Sequence, residues 1–296
     1  MSLRTREFLV GYLFILPGIL GFLIFALGPL IAALLMSFTD YNMIESANWV
    51  GLANYSRALH DDPLFWPSIK RTVIFALLNV PLGIALSLGV AVLLNQRLRG
   101  TSLFRTLFFL PSVVPTVAAV LFWVWLLNPD FGLMNFLLDQ LGIDGPKWLS
   151  SPHWALPSLV FIDWWSTVGG TRMIIFLAAL QGIPQDLLDA AALDGASPVR
   201  RFFGITLPLI TPALFFVTIL TVITSLRIFT PAYIATNGGP SYATWFYGFH
   251  LFKTAFQFFE MGYASALGWL FFLAVLVLTI LQFSLQSRWV HYEGGR

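Results

Sequence analysis

Six stretches of this chain run for twenty residues or more with almost no charge, at approximately 9–37, 72–94, 106–127, 155–180, 207–233 and 262–285. A hydrocarbon core of about 30 Å is crossed by about 20 apolar helical residues. Inside it a helix satisfies its own backbone N–H and C=O groups, which an open strand cannot do. Each run therefore predicts a spanning helix, and the fold class is an all-α integral membrane protein with six transmembrane helices. Composition agrees, with 58% hydrophobic and 10% charged residues where soluble domains carry about 25% charged. The loops at 128–153 and 234–261 are too short for a second folded domain, so residues 1–296 read as one transmembrane domain. The first run follows Arg4 and Arg6 like a signal peptide, but it is too long for one and shows no small-residue cleavage site. It reads as an uncleaved anchor.

Orientation follows from Lys and Arg in the short loops. With the N-terminus inside, Arg4, Arg6, Arg97, Arg99, Arg105, Arg200, Arg201, Arg288 and Arg296 face the cytoplasm. Only Arg57, Lys70, Arg71, Lys147 and Lys253 face outward, so both termini are expected to be cytoplasmic.

Several functions are excluded by what the chain lacks. It has no cysteine, hence no disulfide and no thiolate metal site. A formal charge of +2, with basic residues scattered among loops, does not fit nucleic acid. None of Lys70, Lys147 and Lys253 follows a glycine, so no P-loop is present. His60, His153, His250 and His291 stand far apart and form no H-E-x-x-H pattern. No catalytic residue, metal ligand or resident cofactor is expected. Trp66, Trp148, Trp154, Trp245 and Trp289 fall near span ends, where aromatic belts form.

Between the fourth and fifth runs, at about 181–206, lies a polar segment that includes DLLDAAALDGASPVRRFFGI. Pro184 fits the first position of a helix, and Asp186 and Asp189 suit its first turn. Gly195 fits the left-handed residue that ends it. Ser197 and Pro198 read as the cap and first residue of a second short helix. Leu187, Leu188, Ala191, Phe202 and Phe203 are too apolar for a bare loop and call for a partner surface.

Three ionisable residues lie within runs, where a charge costs about 2.5–3.5 kcal/mol and usually faces a cavity or a partner. Counting ~1.5 Å per residue along unbroken helices puts Arg172 about 12 Å deep, Asp163 about 26 Å and Arg227 about 28 Å. Equal depth predicts an Asp163 and Arg227 pair across the two spans. On the fifth run Thr221, Ser225 and Ile228 share one helical face beside Arg227, with Thr218 and Thr224 flanking it. Hydroxyls at lipid depth point to a helix contact or a polar cavity.

The segment D-A-A-A-L-D-G-A, followed by Phe202, Ile205, Leu207, Pro208 and Pro212, resembles the cytoplasmic signature of permease subunits of binding-protein-dependent ABC importers. Asp189 stands where that signature usually has Glu. PLIAALLMSFTDYN at 29–42, WVGLANYSRAL at 49–59, FFLPSVVPT at 108–116, NPDFGLMN at 128–135, TNGGPSYAT at 236–244 and GYASALG at 262–268 are similar to maltose-type carbohydrate permeases, in that family's order.

The resemblance implies a non-catalytic permease subunit in a bacterial or archaeal cytoplasmic membrane. It implies a second permease subunit, two copies of an ATPase subunit that bind ATP and magnesium, and an extracytoplasmic solute-binding protein. Asp189, Ala190, Ala191, Asp194, Gly195, Ala196, Arg200 and Phe202 would dock on the ATPase as a cytoplasmic coupling helix-turn-helix. Thr221, Ser225, Arg227 and Arg172 would line a sugar path, with Trp164 and Trp165 as stacking faces. The competing reading is an ion-coupled secondary transporter acting without an ATPase, with Asp163 as its carrier.

Overall fold

The computed structural model describes residues 3–96 and 99–291. Arg97 and Arg296, two of the cations that set the expected orientation, lie outside them. Among the described residues there is no strand, only an isolated bridge between Thr39 and Trp49. The helices begin with α1 (Leu3–Phe22), α2 (Gly28–Met36), α3 (Ala53–Ser56), α4 (Phe65–Leu94) and α5 (Thr101–Val113). Next come α6 (Thr116–Leu126), α7 (Leu133–Gln140), α8 (Ala155–Thr167), α9 (Thr171–Gln181) and α10 (Gln185–Leu193). The series ends with α11 (Pro198–Arg201), α12 (Leu207–Leu209), α13 (Thr211–Leu226), α14 (Tyr247–Phe256) and α15 (Met261–Leu285).

By length and apolarity, three continuous helical segments can cross a membrane: Val10–Met36, Phe65–Leu94 and Met261–Arg288. Three further helix pairs qualify only when joined across a bend, which gives up to six spans. The first pair is α5 with α6 and the third joins Pro198–Leu209 to α13, while the second joins α9 to α10 at 65° and so runs past the fourth apolar run into the polar segment that follows it. The run 106–127 bends by 96° between α5 and α6, because Pro115 offers no N–H and holds Val114 extended (ψ 130°). The run 155–180 breaks between α8 and α9 at Gly170 (ψ −141°). The run 207–233 starts its long helix only at Thr211, after a 69° bend, with Pro212 in the first turn of α13.

The chain divides into two compact units, Met1–Pro63 with Leu251–Ala274, and Leu64–His250 with Val275–Arg296. In the first, Asn54 is buried and its amide donates to the carbonyls of Ser37 at 2.9 Å and Thr39 at 2.8 Å. Those bonds supply the partners a buried amide requires and fold the segment after α2 back on itself. The start of α15 is tied to the same segment: Gly262 N–H donates to the Tyr41 carbonyl at 2.9 Å, and Tyr263 Oη to Asp62 at 2.6 Å. Asn48 N–H donates to Asp40 at 2.7 Å, which holds the Asp40 carboxyl below its usual value.

The second unit is organised around α4. Its buried face carries Ser68, Thr72, Phe75, Asn79, Gly83, Ser87 and Ala91, spaced three or four residues apart and therefore on one stripe. Small and polar residues on such a stripe let helices in lipid approach closely and bond across the contact. Against it lie two apolar clusters. One holds Phe75, Trp123, Leu159, Ile162 and Phe246; the other holds Ile84, Ala91, Met173, Phe176 and Val217. His250 is buried, with its Nδ1 accepting from Trp245 Nε1 at 3.2 Å.

Candidate functional site: a charged cavity and an exposed helix-turn-helix

The break between α8 and α9 decides where the intramembrane charges go. A side chain at Gly169 would collide with the backbone oxygen of Phe108, so the small residue lets this break seat directly on α5. Beyond the break α9 continues along α4, and the long side chain of Arg172, nine residues after Asp163, reaches that carboxylate. Arg172 Nη2 lies 3.5 Å from Asp163 Oδ2. The same carboxylate oxygen accepts from Asn79 Nδ2 at 2.9 Å and from Thr167 Oγ1 at 3.3 Å. Asn79 also donates to Ser225 Oγ at 3.0 Å, so α4, α8, α9 and α13 meet in one polar network.

This network corrects the expected pairing of Asp163 with Arg227. The depth estimate assumed unbroken helices, and both helices break. Arg227 is the residue that caps α13 at its C-terminal end. It is exposed and is not among the partners of Asp163.

Around the network lies a cavity of ≈ 380 Å³. Its wall holds Asp163, Arg172 and Asn79, the hydroxyls of Ser112, Ser166, Thr167, Thr171, Thr221, Thr224 and Ser225, and the apolar Ile175, Val217 and Leu220. Thr221, Ser225 and Arg172, named from the sequence, come together there. Arg227, Trp164 and Trp165 do not line it. Trp165 packs on Phe122 and Trp123, while Trp164 packs against the first apolar cluster and stands beside Gly83. Sequence reasoning missed Asn79, Ser112 and Gly83. An amide in the middle of the run FALLNVPLG was a signal of the same kind as Asp163. Ser112 had none, because only the 96° elbow brings it to the cavity.

The polar segment after α9 folds as the sequence predicts, with one shift: Pro184 stands just before α10 rather than in its first position. Gly195 is left-handed at φ +79°. Gly195 N–H donates to Ala192 O at 3.1 Å, and Ala196 N–H to Ala191 O at 3.0 Å, closing the carbonyls that a helix end leaves open. Ser197 caps α11, its Oγ accepting from Arg200 N at 3.3 Å. Gln185 Nε2 donates to Asp189 Oδ1 at 3.0 Å. Asp189, Ala190, Asp194, Gly195 and Arg200 are exposed, and Ala191, Ala196 and Phe202 are half-buried. Leu193 is 90% and Phe203 63% exposed, so the apolar face of this hairpin has no cover within the chain.

Membrane-spanning helices around a polar, ion-paired cavity define a multi-pass membrane protein built to pass a solute. The family described as "binding-protein-dependent transport system inner membrane component" matches residues 79–291, and the chain belongs to it. It is 42% identical over 293 residues to the probable ABC transporter permease protein YesP of Bacillus subtilis (strain 168), covering 98% of this chain and 94% of that protein. It is 38% identical over 283 residues to the trehalose/maltose transport system permease protein MalF of Thermococcus litoralis, covering 94% of each. In fold it is similar to a chain of the bacterial alginate ABC transporter in complex with alginate pentasaccharide-bound periplasmic protein. That match has a TM-score of 0.85, 24% identity and 96% coverage of both chains.

Proposed function

We propose that this chain forms half of the translocation path of an ATP-driven importer for a sugar or oligosaccharide. The hydroxyl-lined cavity around Asp163 and Arg172 carries the reading. Polyhydroxylated solutes bring donors of their own, and the wall hydroxyls of Ser112, Ser166, Thr167, Thr221 and Thr224, whose protons go to carbonyls of their own helices, keep lone pairs that can accept from them. In this reading the chain crosses the membrane six times with both ends in the cytoplasm, and a second permease subunit supplies the other half of the path.

Hydrolysis occurs elsewhere. A separate ATPase, present in two copies and binding ATP and magnesium, receives α10 and α11 in a groove, where the exposed Leu193 and Phe203 gain their cover. Gly195 fixes the angle between the two short helices, so closure of the ATPase pair moves both as one body. An extracytoplasmic solute-binding protein delivers the sugar. A secondary transporter driven by Asp163 fits less well, because that carboxylate is already committed to Asn79, Thr167 and Arg172.

The test is reconstitution of the complete complex in liposomes, with sugar accumulation followed for trehalose, maltose and uronate oligosaccharides. Accumulation that requires both ATP and the binding protein is expected. Accumulation by this chain alone, driven by an ion gradient, would overturn the reading.

A further inference from the structure

The two charges of the cavity cancel each other, and a residue without a side chain holds one of them in place. Arg172 touches Asp163 only through Nη2, at 3.5 Å. Its other terminal nitrogen, Nη1, is buried without a hydrogen-bond partner and faces α4. A Cβ built on Gly83 would lie 2.7 Å from Nη1, and 3.5 Å from Cδ1 and Nε1 of Trp164. The guanidinium therefore lies against α4, one turn beyond the Asn79 that holds Asp163, because position 83 carries only hydrogen. Asp163 is anchored independently by Asn79 at 2.9 Å, while the Thr167 hydroxyl gives its proton chiefly to the Asp163 carbonyl at 2.7 Å, so Arg172 is the partner free to move. Among the described residues no other charged one lines the cavity.

We infer that Gly83 is a positioning residue that keeps Arg172 on Asp163, so that this chain's half of the path is electrically neutral and favours uncharged over anionic saccharides. The inference rests on the cavity being the substrate path. A methyl group at position 83 pushes the guanidinium away from α4. Arg172 already lines the open cavity, and Trp164 stands at 3.5 Å from the same added carbon, so the guanidinium gives way into the cavity. Arg172 then enters it unneutralised. Charge separation in a partly desolvated site produces a much larger field than in water, and an anion-attracting cavity results.

The chain has no cysteine, so Thr224→Cys places a single thiol of this chain on the exposed part of the cavity wall. In membranes holding the assembled complex, that thiol is reacted with an anionic and a cationic methanethiosulfonate. In each case the thiolate forms a disulfide with the reagent and methanesulfinate leaves. The ratio of the two rates reads the local potential.

Gly83→Ala is expected to raise the anionic-to-cationic ratio on the order of tenfold, and Arg172→Gln in the same chain to cancel the rise. Gly89→Ala changes a glycine of the same helix whose Cβ would meet nothing within 4 Å, and it should leave the ratio unchanged. Asp163→Asn, with Gly83 intact, should raise the ratio as well, and it carries the test should Gly83→Ala fail to assemble. A rise that persists without Arg172, or no rise in any assembled variant of Gly83 or Asp163, overturns the inference alone. A thiol that neither reagent reaches removes the solute-open cavity and overturns the path reading with it. Uptake of uronate oligosaccharides in preference to neutral ones by the unmodified complex would overturn the neutral assignment while leaving the path intact.

Discussion

Asn79 on α4 and Asp163 on α8 are joined by a hydrogen bond of 2.9 Å across 84 residues of sequence. The same amide donates to Ser225 on α13 at 3.0 Å, so one side chain fixes the spacing of three helices around the cavity. Asn79→Leu keeps roughly the same volume and removes both donors, leaving a buried carboxylate short of a partner. A loss of about 1–3 kcal/mol is expected, read as an earlier unfolding transition of the purified protein in detergent. Asn79→Asp, which sets a second carboxylate against Asp163, should be worse. An unchanged transition in both variants would dismiss the bridging role.

The Asp163 and Arg172 pair predicts coupling between those two residues and none between Asp163 and Arg227. Removing one partner of a buried pair costs about 3–5 kcal/mol, whereas removing both can be nearly neutral. Here the side chains are 25% and 13% exposed, so the lower end applies. Membrane levels of Asp163→Asn and Arg172→Gln should fall, and those of the double variant recover. Arg227→Gln combined with Asp163→Asn should give simple addition. Recovery in that second combination would restore the pairing that the helix breaks rule out.

The apolar runs were legible because lipid imposes length and hydrophobicity on anything that crosses it. Gly195, Ser197 and Pro198 were legible because caps obey local rules. The sense in which Asp163 and Arg172 meet was not, since it depends on Gly169 and Gly170 opening a helix that the hydropathy pattern carries straight through. Pro115 was a visible breaker in the third run, but the size of its bend, and hence the arrival of Ser112 at the cavity, depends on packing around it. Trp164 and Trp165 read equally well as sugar platforms or core. The contacts of Trp165 with Phe122 and Trp123, and the place of Trp164 beside Gly83, come from tertiary packing that one helix cannot reveal.

Gly195→Val tests the hairpin. A β-branched residue at φ +79° costs on the order of 1–2 kcal/mol, and relief of that strain swings α11 away from α10. The spanning helices do not depend on this turn, so protein level should hold while ATP-dependent uptake drops and crosslinking of α10 to the ATPase weakens. Gly195→Asn, which tolerates left-handed geometry, should retain most activity. Equal uptake in the Val variant and the unmodified protein would remove the hairpin from the coupling route.

In the first unit Arg57 grips Glu260 with both terminal nitrogens, at 2.9–3.2 Å, and lies 4.1 Å over the ring of Tyr263. The pair is substantially exposed, so its net contribution is about 0.2–1 kcal/mol. The expected effect is therefore on geometry. Arg57→Lys keeps the charge but loses the fork, and should loosen the segment before α4 against the start of α15. Hydrogen exchange at Gly262, whose N–H bonds to Tyr41, should quicken in Arg57→Lys, with little change in overall stability. Unchanged exchange there would show that the buried Asn54 bonds hold the segment unaided.

The cavity wall itself supplies the last test. Thr224 is exposed and Ser225 buried on neighbouring positions of α13, and both line the cavity. Thr224→Trp adds bulk where there is open space, so the protein should assemble normally and sugar uptake should fall by at least tenfold. Ser225→Trp adds bulk where Ser225 accepts from Asn79 and should lower assembled protein as well. The start of α13 lies about 20 Å from Thr224, counted at ~1.5 Å per residue, and α11 ends ten residues before it, beyond a 69° bend, so basal ATP turnover in Thr224→Trp should continue. Ser284→Trp, on the exposed surface of α15, controls for size. Uptake and ATP turnover are measured together in the reconstituted complex. If Thr224→Trp transports sugar as well as the Ser284→Trp control, the solute passes elsewhere, and the hydroxyls of α13 serve only to pack helices.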